Sequence, residues 1–375
     1  MPLWRRRRHA LSRKGHVTSQ CLSPSGGHEH GGRDRDGTAQ ARGVKHLIVD
    51  FHHHFTPREL VREDPGDRLL LTYDESGAPS YTVHRLLFDL DEHVRMMDAA
   101  GIDVAVLSSA AGMAADAERS RICNDRAKAA ERAYPGRFIG LAHVNPLGGP
   151  AALAELGRCA EELGFPGVAI TSEQDGHCLD APELAPFWAE AARRRLYVFV
   201  HPALRLNDSR QFDAYDLARS VGREFSLIMA TIRLIGSGVF DRHPDLLVQM
   251  SHLSGGIASM LGRIRGFEDK HFWGTANDPR HGRKPERPFD HYLHHNLVFD
   301  CGGFFGSIEA VRTALIEIPA SRIVFGTDYP QEIRSAAVGC AFVSGLRALK
   351  EGETILVANA ALLLNDRLSN RLPRR

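Results

Sequence analysis

Short apolar runs alternate with amphipathic segments of helical length along most of the chain. The runs are rich in β-branched and aliphatic residues, which is typical of strands buried on both faces. They cover residues 47–51, 104–109, 138–144, 167–171, 197–201, 246–252, 297–303 and 323–330. Segments between them carry apolar residues at spacings of three and four, as one face of a helix does. Clear examples are residues 89–101, 150–164, 182–195 and 307–318. This alternation predicts parallel βαβ units.

Eight strand–helix units within residues 46–375 predict an α/β fold of the (β/α)8, or TIM-barrel, type. A doubly wound open sheet is the competing architecture. No GxGxxG turn follows the first run, which favours the barrel. Residues 56–88 form an insertion after the first strand, on the face where barrel active sites lie. A second insertion, residues 266–296, follows the sixth strand and its helix.

Residues 1–45 have a different composition from the rest of the chain. They are rich in Arg, Gly and Ser and carry almost no aliphatic periodicity, so they cannot bury enough apolar surface to fold alone. The RRRR sequence near the start is not followed by the apolar segment of a secretion signal. We therefore expect a disordered low-complexity tail over 1–45 and one barrel domain over 46–375.

Charge and cysteine usage narrow the class of protein. The 47 Lys and Arg residues nearly balance the 46 Asp and Glu residues, so no overall field favours nucleic acid or an anionic membrane as partner. No apolar run has the roughly eighteen residues of a membrane span. The six cysteines form no CxxC motif, which is typical of a reduced, cytoplasmic protein.

Three consecutive histidines end the first strand, in the stretch LIVDFHHHFTP of residues 47–57. Side chains alternate between the two faces of a strand, so His52 and His54 should share a face with Asp50, and His53 should point the opposite way. Two imidazoles at positions i and i+2 can reach one metal ion. The alternative is a polar strand end that meets solvent.

Later strands also end in groups that bind metal ions: His201 after the fifth run, His252 after the sixth and Asp328 after the eighth. A barrel brings the carboxyl ends of all its strands to one rim. His52, His54, His201 and Asp328 would form a ligand set suited to Zn²⁺ or a similar divalent ion, with a position left for water or substrate. We expect His252 to act as an acid or base beside that ion, and Asp328 to carry a proton as well.

Five motifs, in this order, resemble one known family: VDFHHHFTP, FVHP, FDRHPDLLVQMSHLSGG, FGTDYP and ILVANAALLL. Over residues 46–366 the chain resembles the amidohydrolase superfamily, in the branch that contains aminocarboxymuconate semialdehyde decarboxylase and related metal-dependent non-oxidative decarboxylases. The resemblance implies that His52, His54, His201 and Asp328 are the metal ligands and that His252 is the catalytic histidine.

The number of metal ions follows from one absent residue. Two-metal members of the superfamily resemble each other in carrying a carbamylated lysine at the end of the fourth strand. Residues 165–175 contain no lysine here, so we expect one divalent ion. Zinc is the first expectation for this ligand set, and manganese is the alternative.

The resemblance implies a carboxy-lyase that acts on a carboxylated aromatic or a conjugated unsaturated acid. A small carboxylate substrate needs a cation when it is buried. Arg85 in the first insertion and Arg205 after His201 are the candidates, and Phe304 is a candidate to pack on an aromatic ring.

Two other functions stay open. The same metal-activated water could attack an amide or lactone carbonyl, which would make the protein a hydrolase. A barrel that has lost catalysis would instead be a binding protein. The resemblance also implies a homodimer, because related enzymes are often dimers.

Overall fold

The computed structural model describes residues 47–73, 79–113, 115–203, 212, 214–268 and 284–364. These residues belong to one compact unit, Gln40–Arg375. The predicted tail over 1–45 lies outside the described residues, and so does much of the second insertion. Among the helices described, none is long and apolar enough to cross a membrane.

Every apolar run identified in the sequence overlaps at least one strand. In chain order the strands are β1 (Val49–His54), β2 (Leu70–Tyr73), β3 (Pro79–Val83), β4 (Val104–Ser108), β5 (Phe138–Gly140), β6 (Ala142–His143), β7 (Gly167–Thr171), β8 (Glu173–Gln174), β9 (His177–Cys178), β10 (Tyr197–His201), β11 (Val248–Met250), β12 (Leu297–Asp300) and β13 (Ile323–Val324). β2 and β3 pair antiparallel within the first insertion, and β8 and β9 form a second small hairpin.

The remaining strands are parallel and close into a barrel. Their order is β1, β4 and β5 in one sheet, and β6, β7, β10, β11, β12 and β13 in the other. β5 and β6 are two parts of one apolar run, which joins the sheets. At the other seam Phe51 N donates to Phe325 O at 2.9 Å, and His54 N donates to Tyr329 O at 2.7 Å. The last run therefore pairs with the first, which confirms the (β/α)8 barrel and excludes an open sheet.

Helices cover the outside of this barrel. The α-helices are Leu90–Ala100, Ala117–Ala133, Gly149–Arg158, Ala185–Arg193, Arg223–Gly236, Val239–Arg242, Leu261–Gly266, Phe289–His295, Ile308–Glu317, Ala336–Arg347 and Ala360–Leu363. Side chains cap several of their amino ends; Asp89, for example, accepts a hydrogen bond from Glu92 N. The first helix ends at Gly101, whose φ of 71° favours glycine.

The apolar core has two layers. The inner layer fills the barrel with side chains from the strands, including Val49, Phe51, Val106 and Phe199. The outer layer lies between the strands and the helices and is larger. Apolar side chains fill the barrel interior up to the carboxyl ends of the strands. The polar residues at those strand ends therefore lie together at this rim of the barrel.

Candidate active site

A β-bulge in β1 turns His52 and His54 toward the barrel axis. Between Asp50 and His53, β1 takes three steps where its partner β4 takes two. Phe51 lies in the barrel interior, so strict alternation would have placed His53 inside and its neighbours outside. The extra residue in β1 reverses this alternation, so that His52 and His54 face the barrel axis. The expectation that Asp50 shares the face of His52 and His54 is therefore wrong: Asp50 Oδ2 accepts a hydrogen bond from His53 Nδ1 at 2.9 Å.

The structure brings together all five strand-end groups that the sequence singled out. The Nε2 atoms of His52 and His54 lie 3.1 Å apart, and Asp328 Oδ1 lies 3.4 Å and 2.9 Å from them, respectively. The ring of His201 lies 5.0 Å from that of His54, centroid to centroid. His252 Nε2 is 3.4 Å from Asp328 Oδ2. These side chains are all buried.

The three candidate ligand histidines, His52, His54 and His201, each form a hydrogen bond within the protein through Nδ1, the ring nitrogen that faces away from the cluster. The partners are Asp300 Oδ1 at 3.1 Å for His52, Ser108 Oγ at 3.0 Å for His54 and Pro202 O at 2.9 Å for His201. Such contacts fix the ring orientation and leave Nε2 to bind a metal ion. The ligand-capable nitrogens of these histidines lie within 4.8 Å of one another.

The buried polar atoms of this cluster indicate that it can hold a divalent cation. Asp328 Oδ1 and His252 Nε2 are buried, and neither has a hydrogen-bond partner among the described residues. Buried polar atoms without partners are unfavourable unless something satisfies them. An ion among the Nε2 atoms of His52, His54 and His201 and the Asp328 carboxylate would satisfy Asp328 Oδ1, with the nitrogen and oxygen donors that zinc accepts.

His252 reaches the cluster from a left-handed turn. Residues 252–256 all have positive φ, between 50° and 75°. Each non-glycine residue in this conformation costs about 1–2 kcal/mol, a strain that folds retain mainly at functional sites. The loop after β12 makes room for the ring, since a Cβ on Gly303 would lie 2.0 Å from His252 Cγ.

Sequence reasoning missed Glu224, which holds His252 from the side. Glu224 Oε1 accepts a hydrogen bond from His252 Nδ1 at 2.8 Å. Burial alone would lower the pKa of His252, but the Glu224 and Asp328 carboxylates outweigh burial and raise this pKa well above its usual value. Glu224 lies in a helix rather than at a strand end, so no strand-end pattern could have identified it.

Asp300 is a second residue that sequence reasoning missed, although it ends a strand as the ligands do. Its carboxylate accepts hydrogen bonds from His252 N at 3.2 Å, Gly302 N at 3.1 Å and Gln249 Nε2 at 2.8 Å, besides the contact with His52. Burial opposes ionisation, yet the neighbouring His52 lowers the pKa of Asp300 below its usual value. Asp300 thus orients both a candidate ligand and the turn that carries His252.

The pKa values of His201 and Asp328 both lie well below their usual values, for different reasons. Burial and the neighbouring imidazoles lower the pKa of His201 well below its usual value, so its nitrogen lone pair stays available. Burial would raise the pKa of Asp328, but His52, His252 and His54 hold it well below its usual value. A neutral imidazole and an ionised carboxylate are the forms that bind metal ions.

A cavity of about 560 Å³ opens above the cluster, a size typical of small-molecule sites. The Phe304 ring lines it at 6.5 Å from the His252 ring, centroid to centroid. Other lining residues are Thr56, Tyr81, Thr82, Leu87, Asp216, Arg219, Arg223, Glu224, Gln331, Glu332 and Arg334. The site thus offers an aromatic wall and several cations beside the candidate metal centre.

Of the two arginines proposed from the sequence, the structure describes only Arg85, which does not line this cavity. The Arg85 side chain is 43% exposed. Its Nη1 lies 2.8 Å from Asp89 Oδ2, and Asp67 and Glu92 are also within ion-pair distance. These acids neutralise Arg85 outside the cavity. Arg205 lies outside the described residues.

Comparison with known proteins gives consistent matches. The family model described as amidohydrolase matches residues 49–364. The chain is 33% identical over 266 residues to gamma-resorcylate decarboxylase of Rhizobium sp., an alignment that covers 66% of this chain and 79% of that protein.

Two solved structures share the fold. The crystal structure of 2,6-dihydroxybenzoate decarboxylase complexed with 2,6-dihydroxybenzoate superposes with a TM-score of 0.70 at 27% identity, covering 84% of this chain and 98% of that one. A dihydroxybenzoic acid decarboxylase from Polaromonas sp. JS666, solved with bound manganese and the inhibitor 2-nitroresorcinol, also has a TM-score of 0.70, at 24% identity. The alignment with the Polaromonas structure covers 86% of this chain and 99% of that one.

Proposed function

Because the chain belongs to the amidohydrolase family, we propose that it is a metal-dependent, non-oxidative decarboxylase, a carboxy-lyase, of aromatic carboxylic acids. One observation carries the proposal: ligand nitrogens of His52, His54 and His201 lie within 4.8 Å of one another, and Asp328 Oδ1 lies 3.4 Å and 2.9 Å from two of them, beneath a cavity lined by Phe304. The relatives named as gamma-resorcylate decarboxylases support the reaction class.

His52, His54, His201 and Asp328 are the proposed ligands of one divalent ion. The manganese in the Polaromonas structure makes manganese a candidate alongside zinc, which the donor set also suits. When bound, the ion supplies a positive charge that holds and polarises the oxygen atoms of the substrate.

The chain's own residues supply binding and proton transfer. Phe304 packs on the aromatic ring of the substrate. His252, held by Glu224, exchanges a proton with Asp328, whose Oδ2 lies 3.4 Å from its Nε2. Asp328 delivers this proton to the ring carbon that bears the carboxylate. The bond from that carbon to the carboxylate then breaks, its electron pair returns to the ring, and carbon dioxide leaves.

The substrate is a small aromatic carboxylate, with 2,6-dihydroxybenzoate as the first compound to test. Residues 46–375 form the catalytic domain, and residues 1–45 form a tail. The protein is a cytoplasmic homodimer, and the scattered cysteines, free wherever the structure describes them, support a reducing compartment.

The test uses the purified protein loaded with manganese or zinc and measures carbon dioxide released from a panel of hydroxybenzoates and muconates. Lactones and amides are assayed in parallel as substrates of the alternative hydrolase reaction. We expect release from at least one hydroxybenzoate and no turnover of lactones or amides. Lactone or amide turnover without carbon dioxide would make the protein a hydrolase. No turnover and no bound metal would favour a binding protein.

Metal analysis completes this test. We expect about one ion per chain, loss of activity after chelation and recovery on adding the ion back. His201→Ala should lose both the ion and the activity. His294→Ala, which removes an exposed histidine of the helix Phe289–His295, is the matched control and should keep both.

A further inference from the structure

Thr56 places a buried hydroxyl in the wall of the cavity above the cluster. The residue is 1% exposed, yet its Oγ1 has no hydrogen-bond partner among the described residues. A buried polar group without a partner is unfavourable by about 1–3 kcal/mol. A ligand that fills the cavity and bonds to this hydroxyl would therefore bind better than one that leaves it unpaired.

In the described part of the wall, three other buried side-chain atoms lack a hydrogen-bond partner: Glu224 Oε2, His252 Nε2 and Asp328 Oδ1. Asp328 Oδ1 lies within 3.4 Å of two candidate ligand histidines, and His252 Nε2 faces the other Asp328 oxygen. Glu224 already holds His252 through its Oε1. Of these four groups, Thr56 alone belongs neither to the candidate metal cluster nor to the support of His252.

The backbone keeps this hydroxyl at a fixed place relative to the candidate metal centre. Thr56 N donates to Leu87 O at 2.8 Å, and the residue before a proline, here Pro57, is held extended. In an extended chain the side chains of His54 and Thr56 share a face, with their Cα atoms roughly 6–7 Å apart. Both residues line the cavity. Branching at Cβ also restricts the directions in which Oγ1 can point.

We propose that Thr56 Oγ1 binds a hydroxyl substituent on the aromatic ring of the substrate, away from the oxygen atoms held at the metal centre. The protein thereby selects dihydroxybenzoates over monohydroxybenzoates. This inference rests on the proposed decarboxylase function and narrows its substrate class. A threonine hydroxyl can both donate and accept a hydrogen bond, as a phenolic hydroxyl can. Leu87, Ala110 and Phe304, which also line the cavity, present apolar side chains to the remaining ring carbons.

The proposal predicts which kinetic constant changes. The second ring hydroxyl takes no part in cleavage of the carbon–carbon bond, so its bond to Thr56 is equally strong in the bound substrate and in the transition state. Loss of this bond should raise KM and leave kcat nearly unchanged. Thr56→Val keeps the shape and removes the hydroxyl. Because no described residue bonds to this hydroxyl, the melting temperature of the substrate-free variant should not fall, whereas a structural role would lower it.

The experiment compares salicylate, which has one ring hydroxyl, with the dihydroxybenzoates on the metal-loaded protein. For the dihydroxybenzoate that wild type prefers, Thr56→Val should raise KM about 5- to 50-fold, as for one lost hydrogen bond in a buried site. KM for salicylate should stay within about twofold. Measuring both substrates in both proteins cancels the intrinsic reactivity of each ring. Thr313→Val, at an exposed position of the helix Ile308–Glu317, is the matched control and should keep the wild-type preference.

Thr56→Ser retains the hydroxyl and should also keep the preference. The inference fails if Thr56→Ser loses the preference as Thr56→Val does, if Thr56→Val leaves it unchanged, or if KM rises equally for both substrates. It fails as well if wild type decarboxylates salicylate as efficiently as every dihydroxybenzoate. If Thr56→Val does not fold, Thr56→Ala takes its place with the same expectations.

Calorimetry gives a readout that needs no turnover. The metal-loaded protein is titrated with phenol and with the dihydroxybenzene that remains after the preferred substrate loses its carboxylate. Thr56→Val should bind the dihydroxybenzene at least about fivefold more weakly and phenol as wild type does. Equal affinities in both proteins would overturn the inference. Absence of carbon dioxide release by wild type would instead reject the proposed function, and the titration would still test the role of the Thr56 hydroxyl.

Discussion

Glu224 Oε1 and His252 Nδ1 lie 2.8 Å apart, although 28 positions separate the two residues in the sequence. The contact joins the start of the helix Arg223–Gly236 to the left-handed turn after β11. A carboxylate at this nitrogen keeps the proton on Nδ1 and directs Nε2 toward Asp328. Glu224 is therefore a positioning residue for His252.

Glu224→Gln should lower kcat about 10- to 100-fold and change KM little, because the amide lacks the charge that stabilises protonated His252. The Glu224 carboxylate raises the pKa of His252, so its loss should lower this pKa. The alkaline limb of the rate profile, where His252 loses its proton, should then move to lower pH. Profiles of kcat against pH measure this shift. Exposed Glu183→Gln is the control, and a wild-type profile for Glu224→Gln would contradict the role.

The glycines of the left-handed turn differ in the space around them. A Cβ on Gly255 would lie 2.0 Å from Glu224 O, whereas a Cβ on Gly256 would meet only Phe304 Cζ, at 3.8 Å. Both alanine variants bear the cost of a positive φ, about 1–2 kcal/mol. Gly255→Ala should lose about 1–3 kcal/mol more in urea unfolding, because the helix backbone must move. It should also lose activity, since Glu224 moves with that backbone. Equal stabilities for the two variants would contradict the close packing.

Thr327 fastens the loop that carries Asp328 to β1. Its N and Oγ1 atoms donate to the two oxygens of the buried Asp50 carboxylate, at 2.9 Å and 2.5 Å. Thr327→Val keeps the shape but removes the hydrogen bond to the charged Asp50 and the one that Thr327 Oγ1 accepts from Tyr329 N at 3.0 Å. The free energy of unfolding should fall by about 1.5–3 kcal/mol, and metal affinity should weaken about tenfold. Urea unfolding and metal titration measure these effects. Thr313→Val, at an exposed position, should stay within about 0.5 kcal/mol of wild type.

His143 makes the barrel sensitive to acid. Its buried Nε2 accepts a hydrogen bond from Ser109 N at 2.8 Å, and burial lowers its pKa to about 4, against roughly 6.5 in an unfolded chain. Between these values the unfolded state binds a proton that the folded state does not. The contribution to stability is thus complete above pH 6.5 and falls by roughly 3 kcal/mol as the pH drops to 4.

His143→Gln should therefore flatten the pH dependence of stability by about one proton between pH 6.5 and 4. Urea unfolding of the metal-free protein at several pH values measures the slope. Without metal, the metal-site residues titrate alike in the wild type and in the variant, so their contribution cancels in the comparison. His294→Gln, at an exposed position, should keep the wild-type slope. An unchanged slope for His143→Gln would place the acid sensitivity elsewhere.

The sequence alone was sufficient for the barrel and for the main members of the candidate site. The apolar runs alternate with helical segments because parallel strands are buried on both faces and need helical crossovers. A parallel barrel puts the carboxyl ends of all strands at one rim, so the sequence alone predicts that His201, His252 and Asp328 lie together. These conclusions depend only on local periodicity and on the topology that it implies.

Tertiary structure decided which way these groups point and what supports them. The bulge that turns His52 inward depends on pairing with β4, and no local alternation predicts it. Glu224 meets His252 only because a helix packs beside a left-handed turn, and Arg85 is neutralised by the acids that folding brings around it. Orientation and charge pairing are long-range properties, set by packing between segments distant in sequence, whereas strand-end identity is encoded locally.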